Sequence, residues 1–284
     1  MLFSLCFEWA RLIAAERCGL PQQRRPEPQS VMTDPAAVEA FHGAGFDLLA
    51  PIYCFNTRRV SRLAPLNGRV LDLGSGSGQF LRLLAARRPD LTIVGLEPSP
   101  AMRALGRERI VKDGLSGKIQ LIEGDMTELT DPLPGPLDVI TSLFALHHLP
   151  QEGDLARCFE QIRRIRDRDG AALWLFDHAR PRGSDTAGRF AALATARRSA
   201  ILERDSANSL AAAFSFDEWA TAWTAAGLPN ARHRLANFLP VYQAIECPGA
   251  RTPARPEPMR PPRGIRRSTR LRAALFGTLF AGGR

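Results

Sequence analysis

The chain has 284 residues, 45% of them hydrophobic, enough to bury one substantial core with a small appendage. No apolar run approaches the ~20 residues needed to span a bilayer. The five cysteines (Cys6, Cys18, Cys54, Cys158 and Cys247) are scattered, with no C-x-x-C pair. That argues against a disulfide framework or a zinc knuckle and points to a reducing, cytoplasmic setting. The net charge of +9 sits at the ends: 251–284 holds nine Arg against one acid, whereas acids and bases balance over 31–250. A globally basic, nucleic-acid-binding domain is thereby excluded.

Taken in chain order, residues 1–30 form an extension that ends in the linker PQQRRPEPQS. Its apolar start lacks a basic n-region and is interrupted by Glu8, unlike a signal peptide. Met32, just beyond, is a candidate first residue of the globular unit, 31–250. Within that unit, β-type runs at Arg69–Leu73, Thr92–Leu96, Ile119–Ile122, Leu137–Leu143 and Ala171–Phe176 alternate with helical patterns. The helices read as Gln79–Arg88, Ser99–Lys112 and Gly153–Arg168. Continuous apolar strands separated by helices predict βαβ units and a parallel sheet covered on both faces. FSFDEWATAWTAAGL adds a helix with Ser215 as N-cap and Gly227 past its end. The runs Ala231–Ala236 and Pro240–Glu246 then pair as an antiparallel hairpin. The expected fold is α/β: a doubly wound, Rossmann-like, mostly parallel sheet of about seven strands with an antiparallel C-terminal hairpin. Segment 179–214 reads as a helical lid insertion. The Pro/Arg-rich tail 251–284 is expected to be disordered, except that its last stretch, IRRSTRLRAALFGTLF, reads as a short amphipathic helix with Leu271, Leu275 and Leu279 in line. On that reading its deletion leaves the globular unit intact.

The chemistry concentrates at the strand ends. VLDLGSGSGQF places Asp72, Gly74, Ser75, Gly76 and Gly78 in a tight turn after the first strand, where open α/β sheets bind ligands. Gly74 and Gly76 admit a ligand to the backbone, and Gly78 is read as allowing close helix packing. The spacing is G-x-G-x-G; a dinucleotide loop, G-x-G-x-x-G, would need glycine at Gln79. Glu97, ending the second strand beside Pro98, offers two acceptor oxygens to the hydroxyls of a ribose. Asp125 can accept from an exocyclic adenine amine, with Met126 packing beside the ring. His147 and His148 after the fourth strand, and Asp177 and His178 at the end of the fifth, are candidate bases.

These elements, in this order and spacing, resemble the class I S-adenosylmethionine-dependent methyltransferases over residues 40 to 247, with FALHHL most like the small-molecule enzymes of quinone-biosynthesis type. The resemblance implies a cytoplasmic enzyme that moves the methyl of S-adenosylmethionine to a small molecule at O, N, S or activated carbon, leaving S-adenosylhomocysteine and needing no metal. It implies that Gly74 and Gly76 line the methionine moiety and Glu97 holds the ribose. Asp125 and Met126 hold the adenine, and the backbone at Leu143 and Phe144 flanks the methyl. The segment FHGAGFDLLAPIYCFNTRRV resembles the Y-D-x-x-A-x-x-Y stretch that folds over the cofactor, with Phe46, Asp47 and Tyr53 at the matching places. The fourth strand lacks the [N/D/S]-P-P-[Y/F] motif of nitrogen methylation, reading S-L-F-A instead. Arg197, Arg198, Arg204 and Asn208 on the lid are candidate acceptor contacts. An RNA or protein methyltransferase recruited by the tail, a non-catalytic cofactor-binding module, and tail contact with anionic membrane are the alternatives. The assembly is read as monomer or homodimer.

Overall fold

The computed structural model describes residues 2–28, 35–129, 133, 135–195, 200–229, 231–255, 259 and 265–280. Seven strands form one sheet: β1 Arg69–Leu73, β2 Thr92–Leu96, β3 Ile119–Ile122, β4 Val139–Leu143, β5 Ala172–His178, β6 Arg232–Leu235 and β7 Tyr242–Cys247. Their order is β3-β2-β1-β4-β5-β7-β6, the first five parallel and β7 antiparallel to both β5 and β6. Strands β1, β4 and β5 are buried almost throughout, as their unbroken apolar runs require. The order reverses between β1 and β4, and at such a switch point the adjoining loops diverge and leave a crevice at the carboxyl ends.

Nine helices complete the described residues: α1 Leu2–Cys18, α2 Pro35–Leu63, α3 Gln79–Arg87, α4 Pro100–Lys112, α5 Glu152–Asp169, α6 Thr186–Ala194, α7 Ala200–Ala212, α8 Phe216–Ala225 and α9 Arg267–Thr278. The N-cap expected at Ser215 forms, with Ser215 and Glu218 making a reciprocal capping box at the start of α8, and Ser99 caps α4 by accepting the Met102 N–H on Oγ. Two apolar clusters cover the two faces of the sheet. One gathers side chains of α2, α3 and the chain's C-terminal end; the other is built on α5 and α8, with Trp219 and Trp223 edge-on to Phe159. None of the helices among the described residues is long and apolar enough to cross a membrane.

Two local expectations need correction. The amphipathic helix expected in the tail forms as α9, packed on α2, but with a different face inward. Its inward side chains include Ala273 and Phe276, and Phe280 follows just past its end; the two phenylalanines meet Phe55 and Phe176, while Leu271 and Leu275 are 63% and 60% exposed. Two phenylalanines set against an aromatic pocket bury more surface than the leucine row could, and they decide which face turns inward. Gly78 is needed for another reason than close packing: it is the left-handed N-cap of α3 (φ 70°), and an added Cβ would meet Ile110 only at ordinary distance.

The extension at the other end is also docked. Glu16 Oε2 and Oε1 accept the backbone N–H groups of Arg182 and Gly183, each at 2.8 Å. The buried Arg24 donates to the carbonyls of Ala212 (2.7 Å), His147 (3.1 Å) and Leu149, with its guanidinium 3.9 Å from the Phe214 ring centroid. Residues 19–28 therefore run along the carboxyl edge of the sheet, bound to the loops that follow β4 and β5.

Candidate functional site

The glycine turn grips the end of β2. Gly74 N–H and Ser75 N–H both donate to the Leu96 carbonyl, at 2.8 and 2.9 Å. Gly76 (φ 55°) has nothing within 4 Å of where a Cβ would stand, so open space lies against its backbone. Gly74, by contrast, is pressed on Ala145 in the turn after β4, with the Met126 methyl nearby, so a side chain would collide. Ser75 turns its hydroxyl onto Gly95 beneath the loop and presents only its backbone to the crevice.

Glu97 is tied at both oxygens. Oε2 accepts the Gly76 N–H at 2.8 Å and Oε1 accepts the Ser99 N–H at 2.9 Å. A carboxylate oxygen can accept more than once, so both retain capacity for a ligand hydroxyl. The Pro98 carbonyl accepts from Arg103 at 2.8 Å, fixing the turn into α4. Asp72, at the end of β1, is 2% exposed, and its Oδ1 has no hydrogen-bond partner. Burial and the neighbouring Glu97 raise its carboxyl well above the usual range. Tyr53 of α2 is buried on Phe80, and burial followed by the charge of Asp72 raises its hydroxyl as well. An orphaned carboxylate oxygen and an open cradle of backbone together fit a bound polar ligand better than a filled core.

On the far wall, Asp125 is exposed. Its Oδ1 accepts from the Thr127 N–H (2.7 Å) and Oγ (2.8 Å), which holds the loop in a turn, and Met126 lies half-buried next to it. Phe144, directly after β4, adopts φ 53°, a strained conformation for a bulky side chain, and its N–H donates to the Phe176 carbonyl at 3.0 Å. The bend sets its ring against His178 (4.8 Å), Phe176 (5.3 Å) and Tyr242 (6.1 Å). No sequence signal announced this aromatic wall, because Tyr242 comes from the antiparallel strand.

All four base candidates meet here. Asp177 is 1% exposed; its Oδ1 lies 2.6 Å from His147 Nδ1 and its Oδ2 accepts the His147 N–H at 3.0 Å. Burial alone would lower His147, but the carboxylates of Asp177 and Glu27 outweigh it and the net shift is upward. His178, stacked on Tyr242, is pushed down to about 3 by burial and by His147. It binds a proton too weakly to serve as a base near neutrality. Glu27, which sequence reasoning passed over, adds a carboxylate from the extension. Oε1 lies 3.6 Å from His147 Nε2 and Oε2 lies 3.0 Å from His148 Nδ1. Burial raises Glu27, but the two imidazoles dominate and hold it at about 2. Of the lid candidates, Arg204 is exposed and Asn208 half-buried. Arg197, Arg198 and the side chains of Phe46 and Asp47 lie outside the described residues.

A family model described as a methyltransferase domain matches residues 70–170, which hold the glycine turn, Glu97, Asp125 and the two histidines. An uncharacterised methyltransferase of Bacillus subtilis is 39% identical over 84 residues, 29% of this chain and 35% of that protein. A polyketide synthase of Burkholderia thailandensis is 33% identical over 115 residues, 40% of this chain and 5% of the synthase. The chain thus spans well under half the length of these relatives. Among solved structures, an S-adenosylmethionine-dependent methyltransferase from Aquifex aeolicus matches at TM-score 0.52 and 18% identity, over 76% of this chain and 98% of that one. Mitomycin 7-O-methyltransferase matches at TM-score 0.53 and 20% identity, over 86% and 67%. At such identities the likeness is one of fold.

Proposed function

We propose that this chain, whose residues 70–170 match a methyltransferase-domain model, is a class I S-adenosylmethionine-dependent enzyme that methylates a small-molecule acceptor. The observation that carries the reading is the crevice at the β1/β4 switch point: open backbone at Gly76, the Glu97 carboxylate beside it, and the unpartnered Asp72 oxygen. S-adenosylmethionine supplies an electrophilic methyl on a sulfonium.

The residues present fit that ligand. Gly76 admits the methionine portion to the backbone, Gly74 seats the turn against Ala145, Asp72 and Tyr53 close the floor, and Glu97 takes the ribose hydroxyls. Asp125, through the oxygen not used in its turn, and Met126 receive the adenine. The backbone of Leu143 and Phe144 borders the methyl, and the Phe144–His178–Tyr242 wall excludes water from the line of transfer. In-line displacement at a sulfonium gains most from positioning and desolvation, both of which a buried aromatic wall supplies. The polar groups on the acceptor side are His147 and His148, with Asp177 orienting His147. Such a pair suits an acceptor hydroxyl. The domain is proposed to occupy 31–250 with 179–214 as its lid, in a cytoplasmic protein.

Two measurements test the proposal. Calorimetric titration should show S-adenosylhomocysteine binding and no NADH binding; the reverse overturns it. Radiolabelled methyl transfer in a fractionated extract should place label in a small organic product. Label in RNA or protein instead would move the assignment to macromolecular substrates recruited by the basic tail.

A further inference from the structure

The cluster at the carboxyl edge joins two adjacent histidines after β4 to a carboxylate brought from 120 residues earlier. Glu27 Oε1 and Oε2 face different imidazoles, at 3.6 Å from His147 Nε2 and 3.0 Å from His148 Nδ1. All three donor groups lie within 4.8 Å of one another. A tetrahedral zinc ion with bonds near 2.0–2.1 Å holds its ligand atoms about 3.3 Å apart, a spacing that fits within the span of this cluster.

Two independent features favour a common centre over a simple ion pair. His148 Nδ1 is shielded from solvent and, despite its proximity to Glu27, makes no aligned hydrogen bond. His147 Nδ1 is engaged by Asp177 Oδ1 at 2.6 Å, so that Nε2 is the nitrogen left to face Glu27. A histidine gripped at one nitrogen by a carboxylate and free to ligate through the other is the arrangement that orients metal-bound imidazoles.

We propose that Glu27, His147 and His148 form a divalent-cation site of the zinc class, with Asp177 as the outer partner of His147. Two histidines and one glutamate are a ligand set that leaves a fourth coordination position for water or a ligand oxygen. The N-terminal extension is then part of the site, since it supplies one ligand. The His147 ring is 5.4 Å from His178, which stacks beside Phe144, so the cation borders the aromatic wall. On the methyl-transfer reading, the open position would receive the oxygen of a hydroxylated acceptor and favour its ionised form, the hydroxyl proton passing to solvent water. The cation site itself does not depend on that reading. Spacing alone carried no sign of it, because its ligands sit at positions 27, 147 and 148.

The test is a titration of the chelator-stripped full chain with Co2+, followed by displacement with Zn2+. The expected result is one equivalent bound, with a d–d absorption and no thiolate charge-transfer band, since no cysteine contributes. Glu27→Gln and His148→Asn should each weaken binding at least 10-fold, and Asp177→Asn by 10–100-fold through the outer shell. Thermal unfolding of each variant without metal checks that it still folds. Absent Co2+ binding by the wild type, or equal binding by the wild type and a folded Glu27→Gln, overturns the proposal. If Co2+ binds as expected and S-adenosylhomocysteine does not, the cation site stands and the methyltransferase function falls.

Discussion

Glu97 Oε2 accepts the backbone N–H of Gly76 at 2.8 Å, so the acid that ends β2 is positioned by the loop that ends β1. The two groups cannot move independently. Gly76→Val should place a branched side chain in the open space against the backbone and impose a left-handed cost of about 1–2 kcal/mol. Titration with S-adenosylhomocysteine should find its binding abolished while the far-ultraviolet circular dichroism stays unchanged. Glu97→Gln keeps the volume but puts a donor where two acceptors stood, and should weaken the same binding about 10-fold or more.

His233 controls part of the acid stability. Its ring stacks 3.8 Å from Phe216, also faces Trp219, and has its Nε2 3.1 Å from Gln243 Oε1. Burial lowers it to about 4 from an ordinary value of 6.5. Between those values the unfolded chain binds the proton that the folded chain refuses, so stability falls as pH falls from 6.5 towards 4. The loss from this residue should reach about 1–2 kcal/mol at pH 5. His233→Phe should remove that increment, read as a smaller difference in urea midpoint between pH 7 and pH 5 than in the wild type.

Removing residues 267–284 should destabilise the domain, contrary to what the Pro/Arg composition suggests. Phe280 is 1% exposed and stacks on Phe55 at 5.6 Å, and Phe276 meets Phe55 at 5.4 Å. Phe280→Ala alone should cost about 3–5 kcal/mol in chemical denaturation. Leu275→Ala, on the exposed face of the same helix, should cost less than about 0.5 kcal/mol.

Arg24→Ala should release the extension. It leaves the carbonyls of Ala212, His147 and Leu149 without their charged donor, at about 2–4 kcal/mol. Limited proteolysis should then cut within 19–28 faster than in the wild type. A substitution to Lys should not restore protection, because one ammonium cannot reach three carbonyls held by a planar fork.

The sheet was legible because each parallel strand writes its burial as an unbroken apolar run, and the βα turns carry glycine, serine and acidic punctuation. The same punctuation located Gly76, Glu97 and Asp125 beside one crevice. Glu27 escaped notice for a physical reason: its linker is rich in Pro, Gln and Arg, a composition that usually signals mobility. The linker's fixed course comes from distant partners, chiefly the carbonyls around Arg24. Phe144 was visible as a residue but not as a bend, since a left-handed Phe is stabilised only by rings from β5 and β7. In α9, the leucine row had the helical period, and the choice of face rested on the aromatic pocket at Phe55.

The bonds from Glu16 to Arg182 and Gly183 close loops of 166 and 167 residues, and Arg24 reaches 188 residues ahead to Ala212. Residues 16–28 therefore have no place to dock until most of the domain that follows them has been synthesised. Contacts so distant in sequence carry a large closure entropy and form late. Pulse-labelled hydrogen exchange should show amide protection at β1 and β4 before it appears along residues 19–28. The cluster containing Glu27 would then be completed only after the sheet has formed, making assembly of this edge a late step in the maturation of the protein.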